Sequence, residues 1–126
     1  MPISNYLVFF GILLVAAVLE VAGDYVIRQG FKTNAWIIKI IGMIILCFYG
    51  FAVNLVGGYG SIAERVSKLT GRGKLNFADL LGIYVVAFAS VSVLWGCLIE
   101  NNRVSTTTLL GIAIIIIGGI IINYGS

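Results

Sequence analysis

Apolar residues fill four stretches of this 126-residue chain, 6–27, 35–56, 77–99 and 107–124, and polar residues gather between them. An α-helix of about 20 apolar residues, rising roughly 1.5 Å per residue, crosses the hydrocarbon of a bilayer, and each stretch is near that length. Transmembrane strands need only about 9–11 residues and alternate in polarity, which these stretches do not do. The pattern predicts an all-α integral membrane protein, a four-transmembrane-helix bundle forming a single domain over residues 1–126. A polar connector at 57–76 is its only sizeable hydrophilic segment. Gly57, Gly58 and Gly60 mark the end of the second helix. Ile62, Ala63, Val66 and Leu69 then share one face of a short helical period, opposite Glu64, Arg65 and Lys68. That suits a turn lying among lipid headgroups, or equally a solvated loop.

Composition supports the membrane reading, because 10% of the residues are charged, against about 25% in an average soluble domain. The leading segment MPISN has no Lys or Arg, and no small-residue cleavage pattern breaks the run after it. The first helix is therefore expected to stay in place rather than act as a removable signal. Cys47 and Cys97 fall inside spans, where a thiol behaves as a small apolar group. With no His and no further Cys, neither a metal site nor a bound cofactor is expected. An enzyme is not expected either, since no nucleophile motif is present, and nothing resembles a nucleic-acid platform.

Charge placement says more than the net charge of +3. If the spans alternate, the second connector supplies four basic residues on one side, Arg65, Lys68, Arg72 and Lys74. The first supplies Arg28, Lys32 and Lys39 on the other side and the third adds Arg103, so the two sides balance. Orientation normally follows an excess of Lys and Arg on the cytoplasmic side. A chain without that excess is free to insert both ways and to form an antiparallel homodimer; a single orientation set by the first helix is the alternative.

Glu20 and Asp24 are the only charged residues in the first span. A carboxylate in the middle of a membrane helix costs about 2.5–3.5 kcal/mol on insertion scales, so its presence points to function. Glu20, Asp24 and Arg28 follow at four-residue steps, which drift about 40° and keep all three on one broad face. Leu13, Ala16, Ala17 and Gly23 lie near them, and the small ones would let a helix or a substrate approach closely. Arg28 is a charge partner for Asp24, able to fold back on it as an ion pair or to snorkel outward. Glu20 is deeper and has no basic partner in its helix. Such a carboxyl suits exchange of a proton for an organic cation, with a structural hydrogen bond across the bundle as the alternative.

Helix three places Tyr84, Phe88 and Trp95 along one face, with Ser90 and Ser92 nearby. Aromatic faces attract cations and a Tyr hydroxyl can bond to a carboxylate, although packing or an interfacial belt accounts for such a stripe as well. Helix four carries Gly111 and Gly118 on one stripe, followed by Asn123. Among so many Ile residues, those glycines suit close contact with helix four of a second copy or with helices of the same chain.

These features together resemble the small multidrug resistance transporters of the drug/metabolite transporter superfamily. The order is four short helices, Leu19-Glu20-Val21-Ala22-Gly23 with Arg28 eight residues after the acid, and Gly111-x6-Gly118-x4-Asn123. The YnfA-like branch is the nearer match, through LEVAGDY at 19–25, LCFYG at 46–50, Tyr84 and Phe88 before VLWG at 93–96, and Glu100 with Arg103. The resemblance implies a proton-coupled exporter of small organic cations in the cell membrane, working as an antiparallel homodimer. It implies Glu20 as the essential carboxylate, shared between protomers, and Tyr84 as a pocket aromatic. Val85-Val86 stands where the drug exporters have a glycine-rich stretch, and Asp24 is an acid they lack. Two other readings stay open, a flippase for a lipid-linked head group and a non-transporting membrane assembly subunit.

Overall fold

A computed structural model describes residues 3–54 and 77–125, so the 62–69 pattern and the rest of the 57–76 connector lie outside the described residues. Four α-helices make up nearly all of it: α1 (Ile3–Lys32), α2 (Trp36–Asn54), α3 (Phe77–Leu98) and α4 (Thr106–Gly125). All four are long and apolar enough to cross a bilayer, which makes the chain a multi-pass membrane protein with an all-α four-helix architecture.

Helix α1 runs past the apolar stretch that ends at Ile27, because Arg28-Gln29-Gly30-Phe31-Lys32 contains no residue that forces it to stop. It ends at Asn34, whose φ of 54° is the left-handed turn that Asn tolerates better than most residues. The turn is closed by the Ala35 N–H on the Gly30 carbonyl at 2.9 Å, and the Thr33 hydroxyl donates to the Gln29 carbonyl at 2.9 Å. The α3–α4 connector uses the same device, with Asn101 at φ 54° and the Asn102 N–H on the Gly96 carbonyl at 2.8 Å. Ser105 caps α4, its Oγ accepting from the Thr108 N–H at 3.1 Å.

Helix α1 is central. It packs against α2 on one side and α3 on the other, while α4 rests chiefly on α3. The α1–α2 contact is a glycine crossing. A Cβ on Gly42 would lie 2.9 Å from the Gly23 carbonyl oxygen, so the two backbones approach closely only because both residues lack side chains. The α1–α3 contact is the core, built from Phe9, Leu13, Ala16, Ala17 and Val21 against Leu80, Ile83, Tyr84, Ala87 and Val91. The alanines bring the helices near enough for a side chain of α1 to reach α3. Large apolar residues such as Ile37, Phe48, Phe51, Leu110, Ile114 and Ile121 face outward, as a lipid solvent requires.

Lys39, assigned above to the first connector, instead sits in the first turn of α2 and is 7% exposed. Its stem lies against Gly30, and its ammonium is 4.4 Å from the Phe31 ring centroid and 4.5 Å from that of Trp36. Two aromatic faces thus hold this cation at the end of the span.

Candidate functional site

Three helices converge on Glu20. It projects from α1, half-buried, toward Tyr84 of α3, whose side chain is only 4% exposed. The Tyr84 hydroxyl donates a hydrogen bond to Glu20 Oε2. Tyr49 enters from α2 with its ring centroid 5.6 Å from that of Tyr84. The result is a carboxylate bonded to one tyrosine, with the ring of a second tyrosine against the first. Phe88, one turn along α3, continues the aromatic wall, its centroid 6.4 Å from that of Tyr84.

This arrangement can do two things. A carboxylate with one strong donor keeps lone pairs open for a cation or a proton. The aromatic faces beside it provide quadrupole attraction for the apolar body of a cation. Ser90 and Ser92 contribute less than their hydroxyls suggest, because they donate to the Val86 and Phe88 carbonyls at 2.8 and 2.7 Å.

The remaining sequence-predicted residues do not join Glu20. Asp24, Arg28 and Trp95 line a separate cleft of about 190 Å³ between α1 and α3, together with Val21, Tyr25, Ser92, Gly96 and Glu100. Trp95 meets Tyr25 edge-on at 5.6 Å. Asp24 and Arg28 are both exposed, and among the described residues neither forms an ion pair. The i,i+4 pairing considered for them is therefore not made.

On α4, a Cβ placed at Gly111 or Gly118 would meet nothing within 4 Å, so neither glycine serves packing among the described residues of its own chain. Gly119 does: it is buried against Val86, close to the Gly82 carbonyl. Asn123 is half-buried and borders an apolar cavity of about 370 Å³ with Phe10, Ile83 and Val86.

Sequence reasoning overlooked Tyr49 and Gly119. The signal for Tyr49 was its depth in α2, away from the membrane edge where Tyr usually anchors. For Gly119 there was none, since it adjoins Gly118 and only the helix rotation separates their roles. Among the described residues, no group of three His, Cys, Asp or Glu lies together to hold a metal ion.

The chain is similar to membrane proteins named UPF0060 in several bacteria. The relative in Pseudomonas fluorescens is 32% identical over 125 residues, which cover 96% of this chain and 93% of that protein. One in Psychromonas ingrahamii is 32% identical over 120 residues, covering 92% and 91%. One in Mycolicibacterium gilvum is 27% identical over 112 residues, covering 88% and 89%. No family model and no solved structure matches the chain.

Proposed function

The chain belongs to the UPF0060 membrane protein family, the YnfA-like proteins related to the small multidrug resistance transporters, and we propose that it is a proton-coupled exporter of small organic cations. The observation that carries this reading is the Glu20 carboxylate held by Tyr84 inside the membrane-spanning part of the bundle. Deprotonated Glu20 binds the cation, with Tyr84, Tyr49 and Phe88 around it. A proton arriving at Glu20 removes the charge that held the cation and releases it. The same carboxyl thus cannot hold both at full strength, which is the minimal requirement for exchange.

Transport needs the site to open to each side in turn. The proposed assembly is an antiparallel homodimer that brings Glu20 of both protomers to one pathway and exchanges two equivalent asymmetric states. Three features support it: the equal numbers of basic residues toward the two ends of the spans, the outward-facing Gly111 and Gly118, and α4 resting on α3 alone as a principal contact. Asn123 belongs to the same stripe in sequence, and the contact it makes with the second copy is part of the proposal. No cofactor takes part, the proton being the coupling ion. Purified protein in weakly buffered detergent should release protons when a cation such as tetraphenylphosphonium or guanidinium is added, and Glu20→Gln should not. Equal release from that variant would remove the reading.

A further inference from the structure

The turn between α1 and α2 gathers positive charge with no acid to answer it. From Gln29 to Asn54 the chain has no Asp or Glu, while Lys32 and Lys39 both lie near the turn. Lys39 is 7% exposed, and its ammonium lies 4.4 Å from the Phe31 ring centroid and 4.5 Å from that of Trp36. Ring faces attract the charge but leave an ammonium's three N–H donors without an acceptor atom. Among the described residues, Lys39 Nζ has no hydrogen-bond acceptor and no carboxylate at ion-pair distance. Nor is this nitrogen sealed in, since the Trp95 indole nitrogen is the one unpaired side-chain polar atom among the described residues that is shut off from the outside.

The same turn leaves backbone donors open. Helix α2 starts after Ala35, whose carbonyl accepts from the Lys39 N–H at 3.3 Å and whose methyl side chain supplies no cap. The N–H groups of Trp36, Ile37 and Ile38 have no acceptor among the described residues, whereas α4 has Ser105 as its cap. A helix N-terminus is the positive end of the macrodipole, where a cation is unfavourable and an anion is favoured. Helical side chains lean toward the N-terminus, so Lys39 adds its charge to that end instead of escaping it. The described residues stop at 54 and resume at 77, at the far ends of α2 and α3. An acceptor from between them would have to cross the hydrocarbon, which polar backbone outside a helix does not do.

We propose that the first turn of α2 binds the phosphate of an anionic phospholipid. Lys39 is its ammonium partner, and the N–H groups of Trp36, Ile37 and Ile38 are its backbone donors. Lipid is the source because the site faces it: Phe31, Trp36, Ile37 and Ile40 around the turn are all at least half exposed in a chain that spans the membrane. A soluble anion would meet that apolar surface and gain nothing from it. A phospholipid sets its phosphate on the donors and its glycerol and chains against the rings. Glu20 and Tyr84 have no part in the site, so it stands apart from the exporter reading.

The test reads the three amides directly. Uniformly ¹⁵N-labelled protein, delipidated in dodecyl maltoside, is titrated with phosphatidylglycerol, with diacylglycerol of the same chains, or with inorganic phosphate. The amide protons of Trp36, Ile37 and Ile38 should move downfield and saturate with phosphatidylglycerol alone. Lys39→Met keeps a stem of similar length and should raise the half-saturation concentration about tenfold, the loss expected of one charge-assisted contact. Lys39→Arg should restore the response. Lys32→Met, at an exposed position in the last turn of α1, should leave it nearly unchanged. Glu20→Gln should bind the lipid like the native protein even where proton release is gone, so the two readings fail separately. Amides of the native protein that ignore phosphatidylglycerol overturn the proposal, whatever the variants do. An equal response to diacylglycerol removes phosphate recognition, and an equal response to inorganic phosphate removes the lipid. Weakening by Lys32→Met as large as that by Lys39→Met means a diffuse basic surface in place of a site, and the proposal fails.

Discussion

Replacing Tyr84 by Phe removes one oxygen and leaves the ring, so it isolates the hydroxyl from the packing around it. At 4% exposure the ring is held by the α1–α3 core, and Phe keeps those contacts with Leu80, Ile83 and Ala87 as neighbours. What is lost is the hydrogen bond to Glu20. A neutral hydrogen bond contributes about 0.5–1.5 kcal/mol net and one to a charged group about 1.5–3 kcal/mol. Glu20 is half-buried, so water replaces part of the loss, and the expected cost is about 2 kcal/mol. Unfolding of the purified protein in mixed detergent, followed by far-ultraviolet circular dichroism and extrapolated linearly, measures it. The double variant with Glu20→Gln separates the pair from its surroundings, with a coupling of about 1 kcal/mol or more expected for groups in contact. A loss below about 0.5 kcal/mol, or coupling near zero, would mean that the hydroxyl and the carboxylate do not work as a unit.

Glycine substitutions should divide the molecule into an inner and an outer set. In Gly42→Ala the new methyl would lie 2.5 Å from Ile27 Cγ1 and 2.9 Å from the Gly23 carbonyl oxygen. Pushing α1 and α2 apart should cost about 1–3 kcal/mol in the same unfolding assay, and an unchanged stability would contradict the crossing. Gly118→Leu meets open space among the described residues of its own chain, so stability should be retained while the dimer is lost on size-exclusion chromatography with light scattering. A dimer that survives would move the interface off α4. Single cysteines at the termini of a Cys47→Ala, Cys97→Ala background should label from both sides of the membrane in intact cells, and labelling from one side only would end the dual-orientation proposal.

The helices were legible because a bilayer leaves the backbone few choices: about 20 apolar residues must pair their polar groups within one segment. Their ends were less so. Hydropathy reports where the hydrocarbon stops, whereas α1 continues to Lys32 until Asn34 turns the chain. The depth of Glu20 made it stand out, but its bond to a residue 64 positions away depends on how two helices face each other. Asp24, which shares a broad helix face with Glu20, lines the cleft rather than the Tyr84 contact for a related reason. One helical turn shifts a side chain by about 6 Å and 40°, which is enough to put two acids in different spaces. Tyr49 escaped because a Tyr among aromatics does not show which ring of another helix it meets until the helices are placed. Gly118 and Gly119 differ by about 100° of rotation, and only the neighbour of α4 tells which one faces it.

The account rests on Glu20 holding either a proton or a cation. Isothermal titration of the purified protein in two buffers of different ionisation enthalpy measures both events together, since the difference in heat counts the protons released as cation binds. The native protein should release protons with each cation bound, and Glu20→Gln should bind weakly with no buffer dependence. Binding by the native protein with the same heat in both buffers would contradict proton–cation exchange at this carboxylate.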